Sequence, residues 1–166
     1  MSEDPTAIPI NLDPRQKRMS GYATHGMTPF DVPYISHIKD GLYQGGCMEG
    51  LVLPHNIDKV LSLYPWEKYW IDREDVERVE ITMHDATDQG FEQVDELADQ
   101  VNKWLDQGFN VLVHCQAGLN RSSLIATRAL MKQGLSSDEA IDLIRDKRSP
   151  ACLCNPSFET WLRSLD

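Results

Sequence analysis

A cysteine and an arginine stand six positions apart in the stretch His114-Cys115-Gln116-Ala117-Gly118-Leu119-Asn120-Arg121-Ser122-Ser123. The apolar run Val111-Leu112-Val113 precedes them, and a helical pattern follows. This order reads as strand, tight glycine-containing loop and helix start, an arrangement suited to holding a phosphate ester. Successive backbone N–H groups in such a loop converge on one oxyanion. The helix start adds partial positive charge at the same point. Arg121 offers a planar fork for two phosphate oxygens. The same field stabilises the thiolate of Cys115, so the stretch places a sulfur nucleophile beneath a phosphate cradle.

The elements that must position this loop can be read along the chain. Residues 1–33 carry Pro5, Pro9, Pro14, Pro29 and Pro33 and read as an extended arm, packing in part through Ile8, Ile10 and Phe30. A folded domain is expected over 34–166. Tyr34–Ile38 and Gly41–Gln44 read as two short strands around a turn, Asp58–Leu63 and Val76–Met83 as two more, and Asn110–His114 as the strand feeding the loop. Phe91, Val94, Leu97, Val101 and Trp104 recur at helical spacing. Helices are expected from Arg121 to Gln133, after a Ser136/Glu139 capping box, and after Asn155-Pro156. The expected architecture is α/β, a small, mostly parallel central sheet with helices on both faces.

Composition sets bounds on function. At 166 residues the chain can bury a core without disulfides or metal, and its 41% hydrophobic and 25% charged residues are ordinary for a soluble globular domain. No apolar stretch approaches the ~18 residues that span a membrane, and Met1–Pro14 does not read as a secretory signal. A reduced thiol suits a cytoplasmic setting. The net charge of −10 argues against nucleic-acid and membrane partners. Cys152-Leu153-Cys154 is a weak metal signal, better read as structural thiols, and nothing places Cys47 near Cys115. No metal or cofactor is called for.

The His-Cys-x5-Arg-Ser pattern of 114–122 resembles the signature of the cysteine-dependent protein tyrosine phosphatases, and the compact length is similar to their dual-specificity branch. Ile38–Gly46, Ile57–Leu63 and the region from Ile141 to Leu162 extend the likeness to about residues 34–166. The resemblance implies hydrolysis of phosphate monoesters through a phosphocysteine, with phosphorylated proteins as substrates. It implies Cys115 as nucleophile, Arg121 as phosphate clamp, Ser122 as the hydroxyl that eases thiolate departure, and Gln116, Ala117, Gly118, Leu119 and Asn120 as phosphate-binding backbone. The general acid falls on Asp85, just past the Val76–Met83 strand, with Asp88 the alternative. His114 is implied to orient the loop, its side chain on the face opposite Cys115. Arg148 has two readings, a site for a second substrate anion or a helix-end cation. Asn155 reads as a cap. Tyr64, Trp66, Tyr69 and Trp70 read as core or as a cleft wall.

Substrate is less sharply defined. Residues 116–120 contain no lysine or arginine, which lowers an inositol-lipid substrate carrying several phosphates. Gly118-x-Asn120-Arg121 is also seen in RNA 5′-triphosphatases, so RNA 5′ ends are an alternative to phosphotyrosine and to phosphoserine or phosphothreonine proteins. A non-catalytic phosphoprotein-binding module is the alternative of a different class.

Overall fold

The computed structural model describes residues 17–23, 27–83 and 91–166. Ile8 and Ile10, and both candidate acids Asp85 and Asp88, lie outside the described residues.

The central strand is β7 (Val111–His114), buried along its whole length. It pairs in parallel with β4 (Leu42–Gly45) on one side and β5 (Lys59–Ser62) on the other. β3 (Ile35–Lys39) joins β4 antiparallel, and β6 (Glu77–Glu80) joins β5 in parallel, giving the order β3-β4-β7-β5-β6. Side chains alternate across such a strand. Val111 and Val113 therefore enter one apolar layer, and Leu112 the other.

The α/β class and the mostly parallel sheet are those expected; the distribution of helices differs. The buried apolar residues of α1 (Glu92–Asp106), α2 (Arg121–Lys132), α3 (Ser137–Lys147) and α4 (Pro156–Arg163) all belong to the layer that holds Val111 and Val113. The opposite layer holds Leu51, Leu53, Ile57 and Tyr69, from the irregular segments on either side of β5, with no helical residue. Hydrogen bonds between Trp70 N–H and Leu51 O (2.8 Å) and between Leu53 N–H and Trp70 O (2.9 Å) make that segment self-supporting. Helix ends follow their local chemistry: Ser136 and Glu139 form a reciprocal capping box, and the Asn155 side chain accepts from Ser157 N–H. No helix among the described residues is long and apolar enough to cross a membrane.

Within 1–33, β1 (Arg18–Tyr22) and β2 (Pro29–Pro33) pair as an antiparallel hairpin. A two-stranded ribbon is marginal alone in water. This one is docked through buried Ala23 and Val32, and through Pro33 O, which accepts from Arg148 Nη1 at 2.8 Å.

His114 ends β7 on the helix-free face, fully buried with its ring edge-on to Tyr69. Burial pushes its imidazole down to about 4, so it is neutral at neutral pH. The unfolded chain then binds the extra proton between about pH 6.5 and 4, and stability falls as pH falls through that window. Urea unfolding at pH 7 and pH 5 is expected to show wild type losing about 2 kcal/mol more than His114→Asn. Equal losses would contradict this origin.

Candidate active site

Residues 115–120 run from the end of β7 to the start of α2, and every carbonyl from Cys115 to Leu119 is held by a protein donor. His114 Nδ1 lies 3.2 Å from Cys115 O. Because that oxygen can only accept, Nδ1 carries the proton. Cys47 N–H donates to Gln116 O at 2.9 Å, and Leu153 N–H to Leu119 O at 2.7 Å. Arg148 Nη2 donates to Ala117 O (3.2 Å) and Nε to Gly118 O (2.7 Å), which also accepts from Gln44 Nε2 (3.1 Å).

A trans peptide is planar, so the N–H of residue i+1 points opposite the carbonyl of residue i. Carbonyls drawn outward at 115–119 therefore turn the N–H groups of 116–120 to the other side of the loop. One of them reports the direction: Gly118 N–H donates to Cys115 Sγ at 3.2 Å. Gly118 adopts φ +73°, and a Cβ there would stand 2.5 Å from the Gly45 carbonyl carbon. The loop thus lies directly on the Gly45–Gly46 backbone, an approach that a side chain would prevent.

The start of α2 is prepared for an anion. Its N-cap, Asn120, makes no capping side-chain bond, and its first turn holds no acidic residue. The N-terminal amides and helix dipole are therefore not neutralised by the helix itself. The Asn120 side chain reaches backward instead: its Oδ1 accepts from Asn155 N–H (2.8 Å) and its Nδ2 donates to Cys154 Sγ (3.1 Å).

Cys115 is 2% exposed and its sulfur lies 3.5 Å from Ser122 Oγ. Ser122 Oγ accepts from Gln44 Nε2 at 3.1 Å. A thiolate at Cys115 has only lone pairs to offer, so toward that form the Ser122 hydroxyl is the donor. Gly118 O, an acceptor only, fixes the Gln44 amide with its nitrogen toward the loop. Arg121 donates from Nη1 to Met83 O (3.2 Å), and its guanidinium lies 5.3 Å from the Tyr64 ring centroid. Met83 is the last described residue before the segment that carries Asp85 in the sequence. Cys115, Gln116, Ala117, Leu119, Asn120 and Arg121 together line one cavity of about 220 Å³.

The structure brings Cys115, Arg121 and Ser122 together, and sets His114 on the opposite face. Among the four aromatics, Tyr64 faces Arg121 with Trp66 tilted against it (5.0 Å between centroids). Tyr69 is core, its hydroxyl donating to Gly46 O at 2.5 Å, and Trp70 is exposed. Cys47 and Cys152 are buried thiols, pushed up chiefly by burial, while Cys154 stands on the cavity rim.

Arg148 corrects both readings made of it from sequence. It is buried, and its guanidinium is committed to Ala117 O, Gly118 O, Pro33 O and Ser36 Oγ (3.0 Å), so it neither receives a second anion nor caps a helix at the surface. Gln44 was not singled out at all. Its signal was a lone amide inside the otherwise apolar and glycine strand Leu42-Tyr43-Gln44-Gly45. Arg148→Lys keeps a charge but loses the fork that spans two carbonyls. It is expected to lower kcat by about 10- to 100-fold with an unchanged circular dichroism spectrum; a kcat within two-fold of wild type would contradict the role.

Residues 46–166 match the family model "Dual specificity phosphatase, catalytic domain". The Arabidopsis thaliana dual specificity protein phosphatase 1B is 28% identical over 144 residues, covering 80% of this chain and 81% of the relative. A MAP kinase phosphatase with leucine-rich repeats from Dictyostelium discoideum is 35% identical over 85 residues, 49% of this chain but a tenth of that much longer relative. The crystal structure of human DUSP28 superposes with a TM-score of 0.67 at 16% identity, covering 80% of this chain and 92% of that one. With its cysteine, arginine and serine gathered around an outward-anchored loop, the chain belongs to the dual specificity phosphatase catalytic-domain family and is a cysteine-dependent phosphatase.

Proposed function

We propose that the chain hydrolyses phosphotyrosine in proteins, accepting phosphoserine or phosphothreonine more weakly, through a phosphocysteine on Cys115. The observation that carries this reading is the Cys115 sulfur at the floor of the cavity, facing the Gly118 N–H and flanked by Arg121. In the first step the thiolate attacks phosphorus: an S–P bond forms, the P–O bond to the tyrosine oxygen breaks, and the leaving phenolate takes a proton from Asp85. The loop amides and the Arg121 fork meet the charge on the equatorial phosphoryl oxygens.

In the second step the Asp85 carboxylate removes a proton from water, the water oxygen bonds to phosphorus, and the S–P bond breaks. The electron pair returns to sulfur, where the Ser122 hydroxyl donates a hydrogen bond. Gln44 supports this role by occupying an acceptor site on Ser122. Asp88 remains the alternative acid on the same segment. The reading of RNA ends rested on Asn120, whose side chain is engaged with Cys154 and Asn155, which favours protein substrates.

Rapid-quench kinetics on a phosphotyrosine peptide test the proposal. Wild type is expected to form a cysteine-linked phosphoenzyme, Ser122→Ala to accumulate more of it, and Cys115→Ser to form none. Asp85→Asn is expected to slow the first step by about 10²–10⁴-fold on a poor leaving group, with Asp88→Asn much milder. Turnover by Cys115→Ser would end the phosphocysteine mechanism, and a larger loss in Asp88→Asn would transfer the acid role.

A further inference from the structure

The far end of the phosphate loop is held by a segment whose own backbone is strained. Residues 149–155 join α3 to α4 through turns, and they meet the loop at Leu119 and Asn120. Leu153 N–H donates to Leu119 O (2.7 Å), Asn155 N–H to Asn120 Oδ1 (2.8 Å), and Asn120 Nδ2 to Cys154 Sγ (3.1 Å). Leu153 itself stands at φ +60°, in the left-handed region that a bulky L-residue rarely enters. A carbonyl lies on each side of it, and one guanidinium takes both. Arg145, in the last turn of α3, donates from Nε to Cys152 O (3.0 Å) and from Nη2 to Leu153 O (3.4 Å). Its Nη2 also donates to Glu159 Oε1 on α4 (2.5 Å). A basic residue in a last turn ordinarily answers the carbonyls of its own helix. Arg145 instead directs these nitrogens past the helix end.

Two peptide planes carry this contact to the cavity. Cys152 O and Leu153 N–H belong to one trans peptide and point opposite ways, so a guanidinium on the oxygen aims the N–H at Leu119 O. Leu119 O and Asn120 N–H belong to a second, so an oxygen held from behind turns that N–H toward the phosphate site. The Arg145 and Glu159 side chains are each 29% exposed. The line of contacts therefore begins at the protein surface and ends at an anion-binding amide.

We infer that Arg145 is a positioning residue for the phosphate loop: it keeps Leu153 left-handed by holding the carbonyls on both sides of it, and through Leu153 N–H it fixes the Asn120 amide on the phosphoryl group. This role rests on the phosphatase reading above and adds to that site a residue that never touches the substrate. An amide aimed in advance binds an oxyanion without reorganising, so losing its aim weakens every anion the loop holds.

The test compares Arg145→Met with Arg163→Met, which removes the other arginine on Glu159 (Nε to Oε2, 3.0 Å) and has its bonds to Glu159 and Asp138 rather than to residues 149–155. Calorimetric titration of tungstate and hydrogen exchange of the Leu153 amide are read on each full chain. Arg145→Met is expected to bind tungstate about five- to ten-fold more weakly and to exchange the Leu153 amide about ten-fold faster, with Arg163→Met matching wild type in both. Where Arg145→Met does not fold, Arg145→Lys takes its place under the same outcomes, since it keeps a charge beside Glu159 and gives up the fork. A purely structural role would lower the urea midpoint and leave tungstate affinity unchanged, and that result overturns the assignment. An equal loss of tungstate affinity in Arg163→Met overturns it too, by tracing the effect to the Glu159 ion pairs. Tungstate binding without turnover of any phosphopeptide sinks the protein-phosphatase reading alone, because the Arg145 effect is read on the bound anion.

Discussion

Peptide planarity turns a set of outward hydrogen bonds into an inward-facing anion site. Five consecutive carbonyls, Cys115 to Leu119, are each held from outside the loop, by the His114 ring, the Cys47 amide, Arg148, Gln44 and the Leu153 amide. The amides on the other side have no freedom to do otherwise. Preorganised dipoles of this kind act on a transition state without reorganising when charge develops, which is where electrostatic catalysis gains most. The donors come from β4, the segment just after it, the end of β7, the end of α3 and the segment before α4. The order of the sheet and the placement of the helices on one face are thus what deliver them to one loop.

The buried groups that do this work are costly ones. A charged guanidinium out of water is tolerated only when its hydrogen-bonding capacity is met. Arg148 meets it with carbonyls and a hydroxyl, and among the described residues no carboxylate pairs with it. Its positive charge is therefore not cancelled locally, and it lies against the carbonyls of the loop that follows Cys115. This explains how a chain of net charge −10 can hold an anion site: distant surface carboxylates are screened, whereas a buried cation and oriented amides beneath the phosphate are not.

The portions of this legible in sequence are those written in local spacing. Cys115, Arg121 and Ser122 sit within eight residues, so their convergence follows from one strand, one loop and one helix start. The capping box at Ser136 and the Asn155 cap are similarly short-range. What escaped is non-local. Gln44 and Gly118 are 74 residues apart, and Arg148 reaches Pro33 across 115. A lone arginine near a helix end carries no mark that distinguishes burial from solvation. Periodicity likewise identifies each helix's apolar face without saying on which side of the sheet it lands, and the irregular segments flanking β5 cover the other side.

If the loop's shape is imposed from behind, then loosening a rear support must weaken an anion held in front. Calorimetric titration of tungstate into wild type and Gln44→Leu reads this directly, because Gln44 touches no part of the cavity surface. Tungstate is expected to bind about ten-fold more weakly to Gln44→Leu while the secondary structure is retained. An unchanged tungstate affinity in that variant would contradict the account, since the phosphate loop would then hold its shape without the hydrogen bonds behind it.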